Sequence, residues 1–221
     1  MRPVRNTLQA FVRGEILPRY EAFDPGHRRD HAEAVISQAL ELAQYYDVDP
    51  EILYVAAAYH DLGIVEGREM HHLVSGRIIR ADLRLQEWLS PEAIELAAQA
   101  AEDHRASSTH APRTLYGRII AEADRLIDPE TVIRRTVEYG FSHYPELDRE
   151  GHWHRTLDHL HEKYAEGGYL KLWIPESRNA GQLSKLRVLI ADETALRSRF
   201  EKYYDLCHTS SETNRSGKKG R

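Results

Sequence analysis

Residues 56–63 read Ala56-Ala57-Ala58-Tyr59-His60-Asp61-Leu62-Gly63. Three alanines and an aromatic side chain continue an apolar helical stretch that opens at Pro50. That stretch runs into a histidine, an aspartate and a glycine. Burying the helix would carry His60 and Asp61 into or beside the core at its C-terminal end. A buried aspartate is costly unless it is paired or bound to a cation. A neutral imidazole keeps one ring nitrogen free to bind a metal. Taken alone, the pair also fits a polar helix end that solvates itself.

Working outward, two more segments join it. Upstream, His27-Arg28-Arg29-Asp30-His31-Ala32-Glu33-Ala34-Val35 opens a long amphipathic helix. His31 lies one turn before Val35, on or beside the apolar stripe that includes Leu42. Downstream, Ile119-Ile120-Ala121-Glu122-Ala123-Asp124-Arg125-Leu126-Ile127 is a mostly apolar helix interrupted by acids. Asp124 could pair with Arg125 at the surface, but its apolar neighbours favour burial.

The period of the apolar residues is helical almost throughout. It predicts an all-α fold with helices roughly over 4–18, 28–47, 50–61, 70–84, 91–104, 112–127, 129–143, 152–166 and 181–206. Asp49-Pro50-Glu51, Ser90-Pro91-Glu92 and Asp128-Pro129-Glu130 each place a capping side chain before a proline at the first helical position. Gly63, Gly140 and Gly167-Gly168 mark stops. Residues 168–180 look like an irregular connection, and 209–221, rich in Ser, Thr, Gly and Lys, are expected to be disordered. The chain is therefore expected to form a single helical domain over 1–208, with its C-terminal helix packed back on the rest.

The 221 residues carry 30 basic and 35 acidic side chains, a net charge of −5, which gives no general electrostatic case for nucleic acid. No segment approaches the roughly 18 apolar residues of a membrane span. The N-terminus lacks the apolar stretch of a signal peptide, and a lone thiol fits a reducing compartment. These features point to the cytoplasm. With Cys207 the one cysteine, no disulfide within the chain and no cysteine-based zinc site can form. Any metal would be held by imidazole and carboxylate, and the thirteen histidines cluster.

The order His31, then His60-Asp61, then Asp124, all on helices, resembles the HD superfamily of metal-dependent phosphohydrolases over roughly residues 25–130. The resemblance implies an HD-type helical bundle with a C-terminal extension over 131–208. It also implies that His31, His60, Asp61 and Asp124 converge on one metal. Some HD proteins bind a second ion through a histidine in a His-x-x-x-Gly pattern and another at the end of the next helix. His72 with Gly76 matches the first position and His104 the second, with His71 left open as the alternative to His72. Asp61 would then bridge. The pattern looks most like the bacterial hydrolases that split diadenosine tetraphosphate symmetrically. Beyond residue 130 the likeness ends.

Mixed imidazole and carboxylate ligands suit Mn, Fe, Co, Ni or Zn, as one or two ions. A metal-bound water becomes a hydroxide nucleophile near neutral pH, and two ions about 3.5–4 Å apart clamp a phosphate. Asp61 and Arg105 are the expected catalytic groups. Arg77, Arg80, Arg105 and Arg125 are candidates for substrate binding, because guanidinium forks match phosphate oxygens. The expected partner is a small phosphorylated substrate, a nucleotide or dinucleoside polyphosphate, with no nucleic acid, no membrane, and room for a homodimer. Two rival functions share the ligand order: an HD-type di-iron oxygenase, and a metal-binding regulatory module without catalysis. His154, Asp158 and His161 share one helix face, and are read as surface or pocket-rim groups, with Trp153 and Leu157 as apolar anchors.

Overall fold

A computed structural model describes residues 2–23, 27–108 and 110–217; of 210–217 only the backbone is described. It is all-α, with ten α-helices and no strand among the described residues. Contacts divide it into two compact units, where a single domain was expected. The first comprises residues 1–126 and 171–177, the second 127–170 and 178–221.

The first unit contains α1 (Asn6–Phe11), α2 (Arg29–Leu42), α3 (Pro50–Tyr59), α4 (His71–Ala81), α5 (Pro91–Glu102) and α6 (Leu115–Asp124). Helix α3 is its axis: all ten residues are buried, as expected of a helix apolar on every side. It packs against α2, α5 and α6. Its start follows the sequence signal, with the Asp49 carboxylate accepting from the Glu51 amide and Pro50 at the first position. Ser90 caps α5 in the same way and Thr114 caps α6. The one acid on α3, Glu51, is fully buried and held by the guanidinium groups of Arg2 and Arg5. A buried carboxylate needs such partners.

Residues 171–177 join this unit through a second buried acid. Glu122 of α6 accepts hydrogen bonds from the amides of Trp173 (2.6 Å) and Ile174 (3.4 Å). The stretch is irregular, as expected, and Ile174 enters the core.

The second unit contains α7 (Pro129–His143), α8 (Arg149–Tyr164), α9 (Asn179–Ala191) and α10 (Glu193–Gly217). Its core includes Val137, Trp153, Leu160, Leu186 and Phe200, with the Trp153 and Phe200 rings edge to face at 5.4 Å. Two features differ from expectation. The final helix, predicted over 181–206, is two, because Asp192 leaves the helical conformation and its carboxylate accepts from the Ala195 amide, restarting the chain as α10. The backbone then stays helical through Gly217, although disorder was expected from 209. Extending an existing helix carries no nucleation cost. Residues 218–221 lie outside the described residues.

Candidate metal centre

Three helices and two turns bring six side chains together. His31 comes from the first turn of α2. His60 and Asp61 follow the last turn of α3. His71 is the first residue of α4, His104 follows α5, and Asp124 closes α6. Every one of these elements belongs to the first unit.

The six side chains form two groups, each able to hold a metal ion: His31, His60 and Asp124, and Asp61, His71 and His104. In the first, His31 Nε2 lies 3.2 Å from Asp124 Oδ1 and 3.4 Å from His60 Nε2. In the second, His71 Nε2 and His104 Nε2 are 3.1 Å apart. Asp61 connects them. Its Oδ2 lies 3.2 Å from His60 Nε2 and 3.6 Å from His31 Nε2, while its Oδ1 lies 3.4 Å from His71 Nε2 and 3.5 Å from His104 Nε2.

The rings are oriented by one repeated device. His60 Nδ1 faces the Ala57 carbonyl at 2.8 Å, His71 Nδ1 the Arg68 carbonyl at 2.6 Å, and His104 Nδ1 the Ala101 carbonyl at 2.5 Å. A carbonyl only accepts, so each Nδ1 carries a proton, and in its neutral form each ring would turn an Nε2 lone pair inward. Inward-facing lone pairs of paired imidazoles repel unless a proton or a cation lies between them. This outer-carbonyl pattern is the usual support of metal-binding histidines. The donor set of imidazole nitrogens and carboxylate oxygens fits a divalent transition metal. His31 departs from the device: its Nδ1 is buried without a hydrogen-bond partner among the described residues.

Without an ion the charges compensate one another. Burial pushes the His60 imidazole down, but the adjacent Asp61 and Asp124 outweigh it and raise it to about 9. Burial likewise pushes both carboxylates up, yet Asp61 is held well below the usual range by His60 and His104, and Asp124 is lowered by His31 and its neighbours. His71 is pushed down to about 4 by burial, with His104 adding to the effect. Ionised carboxylates among buried imidazoles suit a cation.

Two residues outside the predicted set hold the turn at Asp61. Tyr20, fully buried, donates its hydroxyl to the Ala58 carbonyl (2.9 Å) and accepts from the Asp61 amide (3.4 Å). Burial and the nearby Asp61 charge raise its pKa, keeping the donor protonated. Ser75 Oγ of α4 accepts from the Gly63 amide at 2.9 Å. A Cβ at Gly63 would lie 2.0 Å from the His71 carbonyl oxygen. Only glycine lets the first turn of α4 come this close, and that approach sets His71 beside Asp61.

For this place in the second group the sequence favoured His72 and left His71 as the alternative. Neighbouring helical residues point about 100° apart, so one of the pair can face the cluster. It is His71; the His72 ring lies 5.6 Å from it and belongs to neither group.

Each of the four arginines expected to bind phosphate has partners within the chain. Arg77 is paired with Glu66, and Arg80 with Glu95 and Glu102, because the exposed side of α4 meets acids of the preceding turn and of α5. Arg125, nearly buried, donates to the His104 carbonyl at 2.9 Å and lies 3.7 Å from Asp124. Arg105 donates to the Glu69 carbonyl at 2.5 Å. Asp158 and the histidines of α8 form no metal-binding group among the described residues.

Among curated proteins and solved structures, nothing matches the chain. Residues 28–127 match the family model of the HD domain. That stretch holds all six converging side chains.

Proposed function

We propose that this HD domain is a metal-dependent phosphohydrolase that binds two divalent ions and cleaves an ester or anhydride of a small phosphorylated molecule. Nucleotides and dinucleoside polyphosphates are the substrate class. The observation that carries this reading is Asp61, which turns one oxygen toward each of two histidine groups. His31, His60 and Asp124 would hold one ion, His71 and His104 the other, with Asp61 shared.

Bound ions would supply an activated water and neutralise the charge a phosphoryl group gains. The chain's own contribution is orientation. The carbonyls of Ala57, Arg68 and Ala101 fix three rings in the tautomer that leaves Nε2 open. Tyr20 fixes the backbone of Asp61. Arg77, Arg80, Arg105 and Arg125 are engaged by acids or by backbone oxygens, so the ions themselves would meet most of the phosphate charge.

The test is phosphate release from a nucleoside monophosphate, a dinucleoside tetraphosphate and p-nitrophenyl phosphate, with Mn2+ and without oxygen. Turnover that Asp61→Ala abolishes supports the reading, and its anaerobic persistence excludes an oxygenase. A metal-loaded protein inactive on every phosphate compound would reject it.

A further inference from the structure

The two groups are built on different supports. His31 and His60 are buried, and their helices pack against one another in the core. His71 instead follows residues 65–70, all of them exposed. Its ring orientation depends on the Arg68 carbonyl within that stretch. The stretch bends at Gly67, whose φ of +107° favours glycine. Two residues later, the Glu69 carbonyl accepts the guanidinium of Arg105, which directly follows His104. Arg105 thus ties the turn carrying one histidine of the second group to the residue next to the other.

We propose that Arg105 is a positioning residue for the second group alone: by holding the Glu69 carbonyl it fixes the 67–70 turn, and through Arg68 the His71 ring. The two ions then bind unequally. The ion at His31, His60 and Asp124 meets a preformed core site. The ion at Asp61, His71 and His104 binds more weakly, because part of its affinity goes into ordering an exposed turn. This rests on the two-ion reading above. It assigns Arg105 a role through the backbone rather than on the substrate.

The experiment is Mn2+ titration of the metal-free protein, followed by calorimetry and by the electron paramagnetic resonance signal of free Mn2+. Wild type should bind two ions in separable steps. Arg105→Ala should weaken the second step by about 10- to 100-fold, the usual cost of losing an outer support of a ligand, and leave the first unchanged. Gly67→Ala probes the same turn from a position with nothing within 4 Å of the added methyl. It should show the same selective loss, and it remains informative if Arg105→Ala fails to fold. Equal weakening of both steps, or an unchanged second step in either folded variant, overturns the proposal. If wild type binds no ion at all, the two-ion reading itself fails.

Discussion

Asp61 occupies a position where one carboxylate serves two sets of imidazoles, and its backbone is fixed as firmly as its side chain. Tyr20 is the residue that does this, with a single hydroxyl bridging the last turn of α3 and the amide beyond it. Tyr20→Phe should lower stability by about 1–3 kcal/mol, since the buried groups it served lose a partner. Chemical denaturation would measure this, and an unchanged midpoint would remove Tyr20 from the site's support. Nothing near Tyr20 in the sequence announced this contact, because the tyrosine and the doublet are about forty positions apart and only packing joins them. His60, Asp61, His31 and Asp124 were legible for the opposite reason. Each is a polar group set in an apolar helical stretch, where burial has to be compensated. The choice between His71 and His72 was not legible, because it depends on how closely α4 approaches Gly63.

At the scale of elements, that approach makes its own prediction. Gly63→Ala places a methyl against the His71 carbonyl and should destabilise by about 1–3 kcal/mol or more, as overpacking does. A melting curve reads it, and wild-type stability would mean that α4 has room to move. The break between α9 and α10 gives a second case. Asp192→Ala removes a cap and should cost about 1 kcal/mol. Its signal, an aspartate followed at once by glutamate, was present in the sequence but masked by the continuous apolar period on either side. The caps at Asp49, Ser90 and Asp128 were readable because a proline marks the first helical position. Helix α8 adds a pH dependence. Burial, with Lys163 and Arg155 nearby, pushes His159 down to about 4 from an ordinary 6.5. Between those values the unfolded chain binds more protons than the folded one, so stability is full above about pH 6.5 and falls as the pH drops toward 4. Denaturation midpoints between about pH 7 and pH 4.5 should therefore fall less steeply for His159→Gln than for wild type. Parallel curves would show that His159 titrates alike in both states.

Across the whole molecule, every side chain of the metal centre belongs to the unit formed by residues 1–126 and 171–177. The family match covers the same region. An ion that binds only the folded state stabilises it by mass action, about 4 kcal/mol at a thousandfold excess over its dissociation constant. Chelation should therefore lower the melting temperature, and re-addition of Mn2+ should restore it. The unit formed by residues 127–170 and 178–221 rests on aliphatic and aromatic packing. Its own melting behaviour should respond less to chelator than that of the first unit. The sequence anticipates α7 and α8, runs α9 and α10 together, and treats all four as an extension, since period and caps do not report which helices share a core. The central claim is that two histidine groups sharing Asp61 hold cations, with His71 as the member from α4. Counting bound Mn2+ by elemental analysis after equilibrium dialysis tests it most directly: wild type and His72→Ala should each carry two ions per chain, and His71→Ala one. An ion-free wild type, or loss of an ion in His72→Ala but not in His71→Ala, would contradict it.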